Sequence, residues 1–306
     1  MVPSHPDYPV YPDPPIEPTT REPPMFHPPH PETYRDQLRA FLREDWGTQD
    51  WATASVPDHP MTARVLAKAD LVVAGLPMAM EVLNLVCPSL RADLPVAEGQ
   101  KVARGAEVIR MRGSSHGILQ AERVMLNLLQ RLSGTATLTR KFVDAIAGTG
   151  ARILDTRKTT PGLKLLEKYA VRCGGGLNHR LTLGDGVLLK ENHLAAAGGI
   201  RAAVEAARRV APNLVKVEVE VETLGQLKAC LDLPDVDGVL LDNMSLDQMR
   251  EAVALRDRSG RRVFLEASGN ITLERARDVA ETGVDFLSVG ALTHSAPAAD
   301  LSLRMD

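Results

Sequence analysis

Residues 153–193 read ILDTRKTTPGLKLLEKYAVRCGGGLNHRLTLGDGVLLKENH, and apolar runs in this stretch break off repeatedly at cationic side chains or at glycines. Three groups of cations follow such breaks: Arg157 with Lys158, His179 with Arg180, and Lys190. A solvated charged surface would need neither three consecutive glycines nor an apolar run before each group of cations. The pattern therefore predicts that these cations converge on a pocket for a multiply charged anion.

The composition indicates a folded protein with no overall attraction for polyanions. The chain has 306 residues, of which 44% are hydrophobic, enough for two domains or for one large barrel with an attached domain. The formal net charge is only −3. General nucleic-acid binders and membrane-surface proteins usually carry a basic excess, so we expect no nucleic-acid partner and no membrane partner.

The cysteines and the longest apolar stretch indicate the compartment. Cys87, Cys173 and Cys230 are an odd number without CxxC spacing, and they predict neither a disulfide framework nor a structural zinc site. Residues 71–86 are interrupted by glycine, proline and polar side chains, so they resemble neither a membrane span nor a signal peptide. We therefore expect a soluble protein of the reducing cytoplasm.

The first 31 residues differ from the rest of the chain. Residues 1–31 hold twelve of the 21 prolines and few aliphatic side chains. Such a composition cannot bury enough apolar surface to offset chain entropy, so we expect a disordered proline-rich extension. A polyproline II ligand for a partner is the functional alternative for this segment.

Two regions with different secondary-structure patterns follow. Residues 32–132 mix helical patterns with short strand-like segments, including an expected hairpin around Gly99 and Gly105, and predict an α+β domain. Residues 133–293 alternate strand-like and helical segments, with six strand-like runs at 152–155, 187–190, 214–220, 238–242, 263–266 and 285–289. Alternating βα units predict a parallel sheet, and six of them favour a closed or nearly closed barrel over an open sheet.

The apolar runs of the second region end in residues that can bind a ligand or take part in catalysis. After the cations of the opening stretch come Glu218 and Glu220, Asp242 and Asn243, Glu266 with Ser268 and Gly269, and Gly290. In a parallel barrel these positions meet at the C-terminal face of the strands, where active sites are built. The sequence thus predicts a rim with cations on one side and carboxylates on the other.

Several motifs together resemble those of quinolinate phosphoribosyltransferases, the carboxylating nicotinate-nucleotide pyrophosphorylases. They are DTRKTTPGLKLLEKYAVRCGGGLNHR, LLKENH, VEVEVETL, VLLDNM, EASGNI and VGALTHS, with ERVMLNLLQRLSGTAT upstream. The resemblance implies an incomplete TIM-like α/β barrel plus an N-terminal α/β sandwich domain, which the last segment, residues 294–306, rejoins. It also implies phosphoribosyl transfer from 5-phosphoribosyl 1-pyrophosphate to quinolinate, with Mg2+, giving nicotinate mononucleotide, pyrophosphate and CO2 in de novo NAD biosynthesis.

The resemblance also implies roles for individual residues. The quinolinate pocket would be lined by Arg157, His179, Arg180 and Lys190. The catalytic residues would be Lys158 at the donor's phosphates, with Glu220 and Asp242 at the ribose hydroxyls and Mg2+. The 5-phosphate would lie against Ser268, Gly269, Gly290 and Ala291. Arg123 would reach into the neighbouring subunit's site, which implies a homodimer with a shared active site, and possibly a hexamer.

Four alternatives stand beside this interpretation. Cys173 near His179 could be a nucleophile, and Lys158 or Lys190 could form a Schiff base. A paralogue linked to molybdenum transport shares the DTRKT and GGG signatures, but Asn178 and the LLKENH motif favour the quinolinate enzyme. A non-catalytic anion-binding protein is disfavoured by the presence of both Glu220 and Asp242 together with all the cations.

Overall fold

The computed structural model describes residues 27–306. The expected disorder of residues 1–26 therefore lies outside the described residues. A 3-10 turn, Pro31–Thr33, begins at the last residue of the predicted extension, and Tyr34 directly behind it is buried. Regular structure thus starts one residue earlier than the sequence indicated.

The N-terminal half combines helices and short strands. Its elements are α1 Arg35–Trp46, α2 Trp51–Ala54, β1 Pro60–Ala67, β2 Leu71–Val72, α3 Leu76–Val86, β3 Arg91–Asp93, β4 Lys101–Val102, β5 Glu107–Ser114 and α4 Ser115–Ala145. Helix α1 buries Leu38 and Leu42, one helical turn apart, which is the pattern that predicted it.

The C-terminal half alternates strands and helices. Its elements are β6 Arg152–Leu154, α5 Lys164–Cys173, β7 Val187–Leu189, α6 Glu191–Ala197, α7 Ile200–Val210, β8 Val217–Val221, α8 Leu224–Leu231, β9 Gly238–Asp242, α9 Leu246–Ser259, β10 Phe264–Ser268, α10 Leu273–Ala280, β11 Phe286–Ser288, α11 Ala291–His294 and β12 Leu301–Met305. All six predicted strand-like runs form strands. Capping boxes at Thr223 and Ser245 begin α8 and α9, because each side chain accepts the amide of a glutamine that returns the bond.

The N-terminal half is organised by an antiparallel sheet with the strand order β12, β1, β5, β3. The last strand of the chain pairs with the first, from Ala63 opposite Met305 to Ala67 opposite Leu301. The predicted hairpin around Gly99 and Gly105 is wrong. Strand β4 pairs with β2, whereas β5 pairs with β1 and β3, so the two glycines make turns between separate sheets.

The barrel half is organised by six parallel strands in the order β6, β11, β10, β9, β8, β7. Strands β6 and β7 follow each other in sequence and yet form the two edges, which is the order of a barrel opened between them. Residues 155–186 run through this gap, and Leu177 makes an isolated parallel bridge to Leu154. The expected incomplete α/β barrel with an N-terminal α/β domain is confirmed.

Helix α4 is 31 residues long and belongs to both halves. Leu128, Leu129 and Leu132 are part of the N-terminal core, and Phe142 is part of the barrel core. The predicted division between residues 132 and 133 falls inside this helix. The helical pattern recognised over residues 122–132 is therefore the middle of a much longer helix that joins the two cores.

No helix among residues 27–306 has both the length and the apolar character needed to cross a bilayer.

Glu98 connects the two halves through one carboxylate. Its Oε1 atom accepts the amide of Gly75 at 2.8 Å and that of Leu76, at the start of α3, and its Oε2 atom accepts the thiol of Cys173 at 3.4 Å, at the end of α5. Burial raises the pKa of Glu98 to about 7. Glu98 thus joins the start of α3 to the end of α5 through a carboxyl group that titrates near neutral pH.

We expect the free energy of unfolding to decrease as the pH rises through 7. The unfolded Glu98 ionises near its ordinary pKa of 4.5, whereas the folded one keeps its proton up to about 7. The contribution of a group with a raised folded-state pKa is complete below the unfolded pKa and disappears above the folded one. Thermal unfolding of the wild type and of Glu98→Gln between about pH 5 and pH 8 measures this. Equal pH slopes for the two proteins would contradict the assignment.

Candidate active site

The C-terminal ends of the six parallel strands surround a cavity of about 510 Å³. Each strand, or the loop that follows it, contributes to the wall. Nine of the twelve predicted site residues line it: Arg157, Lys158, His179, Arg180, Lys190, Glu220, Asp242, Ser268 and Gly269. The predicted rim of cations opposite carboxylates is therefore assembled around one cavity.

Asp155 positions the cationic side of the cavity. This buried carboxylate forms an ion pair with Lys168 of α5 and accepts hydrogen bonds from Asn178 Nδ2 at 2.6 Å and from the His179 amide at 2.9 Å. Lys168 Nζ also donates to the His179 carbonyl at 3.1 Å. The end of β6, helix α5 and the segment that carries Arg180 are thereby tied to one point.

The glycine run has a packing reason. A Cβ atom on Gly174 would lie 2.5 Å from the carbonyl oxygen of Ala136 and from Thr139 Cβ, both on α4. Only glycine allows the chain to turn this close to the long helix. The run thereby lets the chain leave α5 and return to the barrel edge just before His179.

The imidazole of His179 is held in one tautomer. Its Nδ1 atom accepts the amide of Arg180 at 2.8 Å, so the proton of the neutral ring is on Nε2. The Nε2 atom lies 3.1 Å from Glu218 Oε2 and 3.8 Å from Glu266 Oε2. The His179 ring therefore donates a hydrogen bond to Glu218, and the second buried carboxylate, Glu266, lies close by and lines the cavity.

Arg180 and Arg157 form the part of the wall that fits an anion. Arg180 Nη1 donates to the Gly186 carbonyl at 2.7 Å, and its buried Nε atom has no hydrogen-bond partner among the described residues. Burial, and next the charge of Arg157, lower the pKa of Arg180. Each guanidinium group disfavours the charged form of the other. An anion that binds between them stabilises both charged forms.

The acidic side of the cavity comes from adjacent strands. Glu220 on β8 and Glu266 on β10 are both in register with Leu240 of β9, so they lie at the same height. Glu220 forms an ion pair with Lys190, and Asp242 Oδ2 accepts from Asn243 Nδ2 at 2.9 Å. These carboxylates line the same cavity as the cations, and Glu220 is in contact with one of them.

The loop after β10 requires glycine at one position. Gly269 has φ of +90°, and a Cβ atom there would lie 2.1 Å from Asn243 Oδ1. Asn243 and Asn270 also have positive φ angles, 53° and 50°, which asparagine tolerates better than most residues. Asn270 Nδ2 donates to Asn243 Oδ1 at 3.3 Å, so two strand ends are joined at the cavity.

Three predicted site residues do not line the cavity of the single chain. Arg123 lies on α4 with a side chain that is 57% exposed. Gly290 lies next to the cavity, because a Cβ atom on it would be 3.3 Å from Lys158 Cδ. Ala291 begins the short helix α11 behind Gly290.

Other residues of the site had no predicted role. Thr156, Asn243, Glu266, Asn270 and Ser288 line the cavity, and Glu218 lies behind its wall, beside His179. The period-two spacing of Glu218 and Glu220 signalled an inward-facing pair, and Glu266 ends a strand-like run, so both carboxylates were recognisable as chemistry-bearing positions. Thr156 carried no comparable signal, because only the loop conformation brings it to the wall.

Two of the three covalent candidates, Cys173 and Lys190, do not fit this geometry. Cys173 is buried, its thiol bonds to Glu98 instead of His179, and burial raises the pKa of that thiol. A reactive cysteine needs a lowered pKa. Lys190 Nζ is engaged in an ion pair with Glu220 and is therefore not free to attack a carbonyl group.

Comparison with known proteins identifies the family. Profiles of the N-terminal and C-terminal domains of quinolinate phosphoribosyl transferase match residues 50–133 and 135–304. A probable carboxylating nicotinate-nucleotide pyrophosphorylase of Synechocystis is 44% identical over 269 residues, 88% of this chain and 91% of the relative. The carboxylating nicotinate-nucleotide pyrophosphorylase of Mycobacterium leprae is 44% identical over 277 residues, 89% of this chain and 96% of the relative. The solved nicotinate-nucleotide pyrophosphorylase of Francisella tularensis superimposes with a TM-score of 0.87 at 40% identity, covering 90% of this chain and 97% of that one.

The fold and the site define the class as an α/β-barrel pentosyltransferase with a strongly anionic substrate. Both halves of the chain match the same family, in the order in which the domains occur. The chain belongs to the quinolinate phosphoribosyltransferase family. The resemblance predicted from the motifs is confirmed.

We expect Lys168→Met to destabilise the fold strongly, since it leaves the charge of buried Asp155 without its partner. Breaking a buried ion pair in this way costs about 3–5 kcal/mol. Lys101→Met is the matched control, because Lys101 forms an exposed pair with Asp144 and its loss should cost at most about 1 kcal/mol. Urea unfolding measures both, and equal destabilisation by the two substitutions would refute the role of Asp155.

Proposed function

We propose how this cavity carries out the reaction of the family. The chain transfers a phosphoribosyl group from 5-phosphoribosyl 1-pyrophosphate to quinolinate with decarboxylation, giving nicotinate mononucleotide, pyrophosphate and CO2 in NAD biosynthesis. The observation that carries the assignment of roles is that Arg157, Arg180 and Lys190 share one cavity with Glu220 and Asp242.

Quinolinate is assigned to the cationic wall. Its two adjacent carboxylates form a planar dianion, and the guanidinium forks of Arg157 and Arg180 can bind such groups with paired hydrogen bonds. The unpartnered Nε atom of Arg180 supplies one donor. The ammonium ion of Lys190 adds a charge between this wall and Glu220.

The phosphoribosyl donor is assigned to the opposite side. Lys158 and the loop at Ser268 and Gly269 would bind its phosphates, with Gly290 and Ala291 next to them. Glu220 and Asp242, carboxylates from adjacent strands that face the same cavity, would hold the ribose hydroxyls. The same two oxygen donors fit Mg2+, which proteins usually bind through one or two carboxylates together with substrate phosphates.

The charged side chains of the cavity suit the charges that develop during the reaction. As pyrophosphate departs, positive charge develops on the ribose, and the carboxylates of Glu220 and Asp242 stabilise it. Lys158 stabilises the negative charge on the leaving group, and a bound Mg2+ supplies further neutralisation of the pyrophosphate. Arg157 and Arg180 hold the pyridine ring so that its nitrogen can attack, which removes most of the orientational cost.

The proposal includes a homodimer in which Arg123 completes the partner's site. Its support is the position of Arg123, which is exposed on α4 and outside the cavity of its own chain. A hexamer of such dimers is compatible with this arrangement. We also propose a cytoplasmic location, because all three cysteines are free thiols.

Substrate selectivity tests the pocket. We expect purified protein with 5-phosphoribosyl 1-pyrophosphate and Mg2+ to turn over quinolinate with release of CO2. The kcat/KM for nicotinate should be at least about a hundredfold lower, because the missing carboxylate leaves guanidinium donors of the pocket unpaired, among them the buried Nε atom of Arg180. Removal of Mg2+ with a chelator should abolish turnover, and added Mg2+ should restore it. Equal use of nicotinate would refute the carboxylate pocket.

The shared site is tested by mixing inactive subunits. Arg123→Ala and Arg157→Ala homodimers should each be nearly inactive, whereas a mixed dimer contains one site with both arginines intact. We therefore expect activity to reappear after the two variants are denatured together and refolded, and to be absent from either variant treated alone. A purified mixed dimer without activity would exclude a shared site.

A further inference from the structure

A buried acid pair, Glu218 and Glu266, lies beside His179 and has no role in the assignments above. Glu266 is 1% exposed and Glu218 is 6% exposed, and both face the imidazole of His179. Glu266 lines the active-site cavity, and it also lines a second cavity of about 470 Å³ that includes Lys216, Phe264 and Phe286 toward the N-terminal ends of the strands. Glu266 therefore separates two spaces inside the barrel.

The pair has unused hydrogen-bonding capacity. The Oε1 atoms of Glu218 and Glu266 are buried and have no hydrogen-bond partner among the described residues. Two carboxylates in one buried site cannot both be ionised at low cost, so one of them keeps a proton. Burial, and next the charge of Glu218, raise the pKa of Glu266 well above its ordinary range.

The groups around Glu266 support the same protonation state. His179 is neutral and its Nε2 proton points to Glu218, while Asp155 is another nearby carboxylate, already paired with Lys168. The hydroxyl of Ser288 is the one neighbour that favours the ionised form of Glu266, and its effect on the pKa is smaller than those of burial and Glu218. Glu266 is thus a carboxylic acid that faces the substrate cavity.

A metal ion is the other ligand that one histidine and two glutamates could hold. Metal binding requires a lone pair on His179 Nε2. The Nδ1 atom already accepts the Arg180 amide, so the ring proton occupies Nε2 and the lone pair is absent. The arrangement favours a stored proton over a metal.

The reaction needs such a proton. Loss of CO2 from the pyridinium nucleotide leaves an electron pair on the ring carbon. Arg157 and Arg180 cannot supply a proton to it, because arginine stays charged in proteins. Lys190 is paired with Glu220, and Glu266 lies 3.8 Å from His179, in the part of the cavity assigned to quinolinate.

We propose, on the basis of the function assigned above, that Glu266 donates the proton that replaces CO2 on the pyridine ring. The bond between the ring carbon and the carboxylate breaks, CO2 leaves, and the electron pair stays on the carbon. That pair takes the proton of Glu266, whose O–H electrons remain on oxygen as a carboxylate. Water in the second cavity returns a proton to Glu266 between turnovers.

Glu266→Gln tests this assignment, because glutamine keeps the shape and the hydrogen-bond donor but has no transferable proton. In a single turnover, formation of nicotinate mononucleotide should slow by at least about a hundredfold, the usual size of general acid catalysis. The dissociation constant for quinolinate should change less than about threefold, since Glu266 makes none of the proposed carboxylate contacts. Glu98→Gln, a matched change in a carboxylate outside the cavity, should retain the wild-type rate.

The pH dependence of the single-turnover rate distinguishes proton donation by Glu266 from a purely structural role. The wild-type single-turnover rate should fall on the alkaline side as Glu266 ionises, and Glu266→Gln should lack this limb. Glu266→Asp, which keeps an acid, should retain the limb at a lower rate. A wild type without an alkaline limb, or a folded Glu266→Gln that forms product at the normal rate, would overturn the proposal. A wild type that does not convert quinolinate at all would instead refute the proposed function.

Discussion

The carboxylate of Asp155 is the interaction on which the active site depends. It lies where the barrel is open between β6 and β7, and it gathers the Lys168 ammonium, the Asn178 amide and the His179 backbone around one buried charge. A buried carboxylate of this kind is costly unless it is fully paired. The pairing obliges residues 155–186 to fold back onto the barrel, and this fold places Arg157 and Arg180 on the same wall.

The gap in the barrel also explains why the two halves of the protein are inseparable. The segment that fills the gap packs through α5 on the long helix α4, and Leu166 and Tyr169 of α5 belong to the core of the N-terminal half. The final strand β12 then returns to the first sheet. The β6 edge is thus partly covered by structure that the N-terminal half supports, through the bridge between Leu154 and Leu177.

The chain separates charges locally although its net charge is only −3. Cations come from the segment that crosses the gap, and carboxylates come from strands β8, β9 and β10 on the opposite side. Burial opposes this separation at two points, because it disfavours charged forms: it raises the pKa of Glu266 and lowers that of Arg180. This arrangement suits the proposed roles: a dianion on the cationic side, a developing cation beside the carboxylates, and a proton on Glu266.

The sequence by itself determined the six parallel strands, the two capping boxes and most of the cavity wall, because apolar runs and the residues that end them follow local rules. It did not determine that β4 would pair with β2, or that one helix would run from residue 115 to residue 145 through both cores. Those outcomes depend on which distant surfaces bury each other. Likewise Glu266 and Asp155 were visible as acidic residues, but their burial and their partners decide that one stores a proton and the other holds an ion pair. Only the tertiary structure sets those partners, since the free energy of a charge depends on what surrounds it.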